Sequence, residues 1–159
     1  MKIVILRHGE AEIYADSDAQ RNLSDYGHEQ AKSAGLCLKN LAIEFEQVWV
    51  SPYLRAQQTA DGVLSELGDI PRETLDGLTP ESSPSQLAEA LVTYRGGDLL
   101  LVSHQPLVSA LVGLLANADH RAGPPMSPAS MAMLSADTLL AGCCQLRWLR
   151  HAPTFEATV

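Results

Sequence analysis

The sequence has few cysteines, little basic charge and no long hydrophobic run. Its three cysteines show no CxxC spacing, which argues against a disulfide framework or a zinc site. Lys and Arg number 11 against 19 Asp and Glu, giving a formal net charge of −8. Such an average surface repels nucleic acid and anionic lipid, so we expect neither as a partner. The longest apolar runs, such as 99–102, are far shorter than the ~20 residues of a membrane span.

The remaining composition is that of an ordinary globular protein. Apolar residues make up 46% of the chain and charged residues 19%, which argues against a disordered chain or a coiled coil. No repeat, low-complexity tract or long linker divides the sequence, so we expect a single domain over residues 1–159. The apolar start is too short for a secretory signal, and we therefore expect a cytoplasmic protein, present as a monomer.

Short apolar segments alternate with segments of helical character, which predicts βαβ units. We predict strands at 1–6, 47–50, 73–75 and 99–103, helices at 24–40, 53–67, 85–94 and 106–117, and a terminal strand pair at 129–135 and 144–149. Ser24 and Ser85 are the expected N-caps of two helices, and Gly68 is the expected end of another. The pattern indicates an α/β fold of three layers, a mostly parallel central sheet with helices on both faces.

Four polar side chains follow the predicted strands at their carboxyl ends. Arg7 and His8 follow the first strand, Arg55 follows the second, and His104 follows the strand at 99–103. Ligands of open α/β sheets bind beyond these ends, so we expect the four groups to share one rim. Arg offers a planar cationic fork that matches phosphate oxygens, and His offers a nucleophilic or titratable nitrogen. Taken singly, each of these residues is explained equally well as a structural or a solvated side chain without a role in binding.

The sequence lacks the motifs of other phosphate sites. No glycine-rich phosphate loop with a lysine is present, and no cluster of Asp and His has metal-ligand spacing. We therefore expect Arg and His to neutralise the bound anion, without a cofactor or metal ion.

Three spaced motifs resemble those of the histidine phosphatase (phosphoglycerate mutase-like) superfamily. They read LRHGE at 6–10, SPYLRAQQTA at 51–60 and VSHQP at 102–106, in the order of that superfamily and across most of the chain. Within it, the short length, RNLS at 21–24 and SHQPLV at 103–108 most resemble the SixA-type phosphohistidine phosphatases. The resemblance implies a phosphoglycerate mutase-like fold with a minimal cap.

The resemblance also implies catalytic roles. His8 would be the nucleophile that becomes a phosphohistidine intermediate, which requires its other ring nitrogen to donate to a backbone carbonyl. Arg7, Arg55 and His104 would hold the three equatorial phosphoryl oxygens.

Two further residues are expected to bind substrate. By the same resemblance, Arg21 would reach the phosphate from the flanking loop; the alternative is a surface charge beside Asp18 and Asp25. Gly9 would allow the ligand to approach the backbone closely. The loop at 123–128 is either a wall of the substrate entrance or a plain connector.

The sequence departs from the superfamily at two places. Members that act on small phosphate esters carry an Asn shortly after the first motif. The corresponding position in this chain is near Tyr14, and no Asn is present there. They also carry an acidic residue on a larger cap. Here Glu81 and Glu10 are the candidate proton donors, and the alternative for Glu81 is a loop carboxylate that favours solubility.

The absence of a strong acid indicates a substrate whose leaving group needs little protonation. An imidazole, with a pKa near 6.5, leaves a phosphoryl group more readily than an alkoxide does. We therefore expect hydrolysis of phosphohistidine on a protein such as a histidine phosphotransfer domain. The alternatives are a small-molecule phosphomonoesterase or mutase of the same superfamily, and a phosphoprotein-binding module without activity.

Overall fold

Seven strands form one sheet in the computed structural model, which describes residues 1–159. The strands are β1 (Lys2–Arg7), β2 (Phe45–Val50), β3 (Arg72–Thr74), β4 (Asp98–Ser103), β5 (Met131–Ser135), β6 (Gln145–Arg150) and β7 (Ala157–Thr158). Their order is β3-β2-β4-β1-β5-β6-β7. The first four strands run parallel, and β5, β6 and β7 extend the sheet from β1 by antiparallel pairing. The predicted terminal strand pair is β5 with β6, whereas β7 was not predicted.

Four helices cover the sheet on both faces. They are α1 (Asp25–Asn40), α2 (Leu54–Leu67), α3 (Pro84–Thr93) and α4 (Leu107–Asn117). Alternate residues of β1 point to opposite faces: Ile3 and Ile5 pack under α3 and α4, while Val4 and Leu6 pack under α1 and α2. The apolar residues on both faces of the central strands therefore produce the predicted three-layer α/β/α architecture.

The helix ends agree with the sequence at two sites and differ at a third. Ser24 caps α1 by accepting a hydrogen bond from the Gly27 amide at 3.0 Å, and Gly68, with φ of +92°, ends α2. The cap predicted at Ser85 was wrong: Ser83 caps α3 instead, accepting from the Gln86 amide at 3.3 Å. Pro84 then occupies the first helical position, where its missing N–H costs nothing.

The chain between α2 and β4 contains only β3, a 3₁₀ turn at Asp76–Leu78 and α3. No further subdomain is inserted there, which confirms the minimal cap. No helix is both long enough and apolar enough to cross a membrane.

Gly9 makes a close backbone contact with α1, a packing role that the sequence does not predict. A Cβ at Gly9 would lie 2.6 Å from the Gly27 carbonyl oxygen, and a Cβ at Gly27 would lie 2.0 Å from the Glu10 carbonyl oxygen. The Gly9 amide already donates to Thr59 Oγ1 at 3.1 Å. Gly9 therefore lets the segment after β1 pack against α1, and its contribution to substrate binding stays a prediction.

This contact predicts a stability difference between two glycine-to-alanine substitutions. Gly27→Ala should lower the free energy of unfolding by about 2 kcal/mol, because the added methyl overpacks a backbone contact. Gly77→Ala is the matched control, since a Cβ there meets no atom within 4 Å; its effect should stay within about 0.5 kcal/mol. Urea denaturation measures both, and equal stabilities would contradict the packing role.

Candidate active site

The sheet register brings the predicted residues to one rim. Arg7 pairs with Ser103 across β1 and β4, so the next residues, His8 and His104, lie side by side with ring centroids 5.0 Å apart. Arg55, in the first turn of α2, places its Nε 3.2 Å from His8 Nε2. His8, Arg55 and His104 are all buried, so the three side chains meet in a site largely shielded from water.

The His8 imidazole is held in one tautomer by two contacts. Its Nδ1 lies 2.6 Å from the Gly9 carbonyl oxygen, which can only accept, so Nδ1 carries the proton. Arg55 Nε donates toward His8 Nε2, which therefore presents its lone pair. The predicted backbone contact of the ring is present, and Nε2 is the nitrogen available as a nucleophile.

Asp18 compensates the buried charge of Arg55. Arg55 donates through Nη1 to the Asp18 carbonyl oxygen at 2.6 Å and through Nη2 to the Asp18 carboxylate at 3.1 Å. Arg21 Nη1 binds the other oxygen of the same carboxylate at 3.0 Å. Desolvation alone would raise the pKa of Asp18, but hydrogen bonds from Arg21 and Arg55 lower it below its usual value. Asp18 is thus an ionised bridge between two guanidinium groups.

Arg7 is fixed by the loop at 123–128. Its Nη1 donates to the Met126 carbonyl oxygen at 2.8 Å, while its Nε is buried without a partner. Burial, and to a lesser extent the charge of Arg55, lowers the pKa of Arg7. The loop therefore contacts the site through a backbone carbonyl, and both predicted interpretations of it stay open.

His104 retains one free nitrogen. Its Nε2 lies 2.6 Å from Ser51 Oγ, whereas its Nδ1 is buried without a partner. The Tyr53 ring packs edge-on against His104 at 5.0 Å between centroids, and the Arg55 guanidinium lies 5.1 Å from the centre of the same Tyr53 ring. Tyr53 and Ser51 thus fix both His104 and Arg55 from the segment that joins β2 to α2.

Burial keeps both histidines neutral. It lowers the pKa of His8 to about 4, assisted by the charges of Arg55 and Arg7 against the raising effect of the Gly9 hydrogen bond. The pKa of His104 falls to about 3, again mainly by burial and then by proximity to His8 and Arg55. At neutral pH the site therefore combines two cationic guanidinium groups with two uncharged imidazoles.

The other predicted residues lie less close to this group. Arg21 is hydrogen-bonded to this group only through Asp18, although its charge also helps to lower the pKa of His8; its Nε donates to the Glu12 carbonyl at 2.7 Å. Glu81 is exposed and lines a surface groove with Pro106 and Arg121; no hydrogen bond or ion pair joins it to the four central residues. The Glu10 side chain is also exposed, without a polar contact.

Several contributors were missed by sequence reasoning. Asp18 was considered only as a neighbour of Arg21; the three-residue spacing between them was the one available signal. Ser51 belongs to the second motif, but its hydroxyl was given no role. The Met126 carbonyl is a backbone group that no residue pattern reveals.

The unpartnered nitrogens indicate what the site can bind. Arg7 Nε and His104 Nδ1 are buried polar atoms without partners, which is costly unless a ligand completes them. Two nearby guanidinium groups also repel each other until an anion neutralises them. The class of site is therefore an oxyanion site that contains a ring nitrogen with a lone pair. No group of three or more His, Cys, Asp or Glu residues is placed to hold a metal ion.

Comparisons with known proteins agree with this class. The family model for the histidine phosphatase superfamily (branch 1) matches residues 3–80. Phosphohistidine phosphatase SixA of Escherichia coli is 37% identical over 134 residues, covering 79% of each chain. The SixA homolog of Haemophilus influenzae is 37% identical over 127 residues, covering 72% of this chain and 77% of that one.

A solved structure extends the similarity to the fold. The protein histidine phosphatase SixA complexed with tungstate has a TM-score of 0.85 and 31% identity, with 94% of this chain and 96% of that chain covered. The chain belongs to the histidine phosphatase superfamily. Within the superfamily it is similar to the SixA proteins over most of its length.

The lowered histidine pKa values predict acid sensitivity. Below about pH 6.5 the unfolded chain protonates both imidazoles, while the folded chain keeps them neutral down to about pH 4 for His8 and about 3 for His104. The unfolded state binds more protons in this window, so the free energy of unfolding should fall as pH falls from about 6.5 to 4. His8→Asn should reduce this fall, measured by urea denaturation at several pH values.

His28→Asn is the control, since it removes an exposed histidine of α1. It should leave the pH dependence of the wild type unchanged. An equally steep fall in His8→Asn and the wild type would contradict the lowered pKa of His8.

Proposed function

We propose that the protein is a phosphohistidine phosphatase that removes the phosphoryl group from a phosphorylated histidine on another protein. The observation that carries the proposal is the fixed tautomer of His8, with a lone pair on Nε2 beside two guanidinium groups. The similarity to SixA proteins over most of the chain supports the same activity.

The first step would be attack of His8 Nε2 on phosphorus. The new P–N bond to His8 forms as the P–N bond of the substrate breaks, and the departing imidazole takes the bonding electrons and a proton from solvent. A water molecule then attacks the phosphohistidine, which releases phosphate and restores His8. Because His8 is neutral, no proton has to be removed from Nε2 before attack.

The transferred group would be held by Arg7, Arg55 and His104. Arg7 Nε and Arg55 supply cationic donors, and phosphoryl transfer depends mainly on such positioning and charge stabilisation. If Ser51 donates to His104 Nε2, then Nδ1 of His104 carries a proton and is the donor left for a phosphoryl oxygen. Asp18 would act as a positioning residue that keeps Arg55 oriented.

The leaving group favours phosphohistidine over an alkyl phosphate. Neither Glu81 nor Glu10 forms a side-chain hydrogen bond or an ion pair with the central residues, and Asp18 is held ionised by two arginines. A site with no neutral carboxylic acid at hand suits an imidazole, which leaves without a strong acid, better than an alkoxide. A small-molecule phosphomonoesterase or mutase would need that acid.

A transfer assay tests the activity. The wild type, incubated with a phosphorylated histidine phosphotransfer domain in the presence of a chelator, should release phosphate and form an acid-labile phosphoenzyme that maps to His8. His8→Ala should lose at least a thousandfold in rate, since the covalent route is removed. Equal release by His8→Ala, or much faster turnover of a sugar phosphate than of the phosphoprotein, would overturn the proposal.

A binding assay tests the anion site separately from turnover. Arg7→Lys keeps the charge but removes the planar fork and its Nε, so tungstate affinity should fall about tenfold. Arg147→Lys is the matched control, because Arg147 is exposed and bonds Ser135 at the far end of β5. Calorimetry with tungstate measures both, and equal affinities would exclude Arg7 from the site.

A further inference from the structure

Two large apolar side chains stand exposed beside the active site. Ile13 is 80% exposed and Tyr14 is 90% exposed; apart from the C-terminal Val159, the other large apolar residues are at most 48% exposed. Both belong to the 10–18 loop, which runs from the end of the first motif to Asp18. Exposing two adjacent large apolar groups is unfavourable in water, and such exposed groups are typical of protein interaction sites.

The base of this loop is firmly held. The Glu12 amide donates to the Asn22 carbonyl at 2.8 Å, and Arg21 Nε donates to the Glu12 carbonyl at 2.7 Å. The Glu10 amide donates to Gln30 Oε1 at 2.8 Å. Ile13 and Tyr14 therefore project from a pre-ordered base, which reduces the conformational entropy lost on binding.

The exposed surface is continuous with the catalytic groups. One shallow groove is lined by Ile13, Ala15, Ser17, Asp18 and Arg21. Asp18 in turn binds Arg55, which contacts His8. A protein that places a phosphohistidine at His8 would therefore bring the surface around it toward this groove, which Ile13 lines and which Tyr14 adjoins in sequence.

The charge of the loop restricts the partner. The 10–18 loop carries four carboxylates and no Lys or Arg; Asp18 is paired with Arg21 and Arg55, which leaves those of Glu10, Glu12 and Asp16 without an ion pair. These carboxylates would repel a small free phosphate dianion that approached from this side, whereas a basic side chain next to the phosphohistidine would be attracted.

We propose that Ile13 and Tyr14 form a docking surface for the phosphorylated protein, whose phosphohistidine is flanked by apolar residues and by Lys or Arg. The inference rests on the proposed function, and it names the substrate surface which that function would require. Tyr is among the residues that contribute most at protein interfaces, because its ring buries a large area at low entropic cost.

The test compares three chemically phosphorylated substrates. Phosphoimidazole has no flanking residues; a phosphohistidine peptide with Leu and Lys neighbours matches the proposed surface; and a peptide with Ser and Glu neighbours does not. In the wild type, kcat/KM should be about tenfold higher for the Leu/Lys peptide than for the Ser/Glu peptide. The double variant Ile13→Ser with Tyr14→Ser should lose about tenfold on the Leu/Lys peptide, chiefly through KM, and nothing on phosphoimidazole.

Leu140→Ser provides the matched control. Leu140 is 47% exposed and lies in the β5–β6 connection. That connection begins at Ala136, whose amide donates to the Met1 carbonyl at the end of the sheet opposite His8. It should behave as the wild type on all three substrates.

Each outcome bears on the inference in a defined way. Unchanged turnover of the Leu/Lys peptide by the double variant would overturn the docking surface, and an equal loss on phosphoimidazole would show damage to the catalytic site instead. Similar turnover of both peptides by the wild type would overturn the proposed flanking chemistry. If the wild type hydrolyses phosphoimidazole but the docking variants have no effect, only the inference fails; if it hydrolyses none of the three, the proposed function itself fails.

Discussion

The hydrogen bond between His8 Nδ1 and the Gly9 carbonyl oxygen determines which ring nitrogen carries a lone pair. The carbonyl can point there because the Gly9 amide is bound by Thr59 Oγ1 and the Gly9 Cα lies against Gly27 of α1. Packing between a loop and a helix thus fixes a tautomer, and the tautomer defines the direction from which phosphorus must approach. Arg55 lies beside the same nitrogen, because its Nε is 3.2 Å from His8 Nε2.

Burial has two consequences that act in the same direction. It keeps both imidazoles uncharged, and it places two guanidinium groups close together with little water to screen them. Asp18 relieves part of that repulsion by bridging Arg55 and Arg21, yet Arg7 Nε stays without a partner. The site is therefore preorganised for a dianion rather than formed by it, which is the main requirement in phosphoryl transfer.

Sequence patterns predicted the layers, most helix bounds and the meeting of Arg7, His8, Arg55 and His104, because strand ends in a parallel sheet share one edge. They did not predict Asp18 or Met126, since these contacts depend on how two irregular loops fold back on the rim. Gly9 was assigned to ligand approach because sequence shows that a side chain is absent but not which atom it would meet. Ser83 displaced Ser85 as a cap because Pro84 favours the first helical position.

The position of β1 in the sheet has a consequence for biosynthesis. β1 pairs only with β4 and β5, which are translated much later, so the first strand has no neighbours while the middle of the chain emerges from the ribosome. His8 follows β1 directly, and its partner ring comes from the end of β4. A nascent chain that stops before β4 thus carries His8 without His104 beside it, and the proposed active site is complete only when β4 and β5 pair with β1.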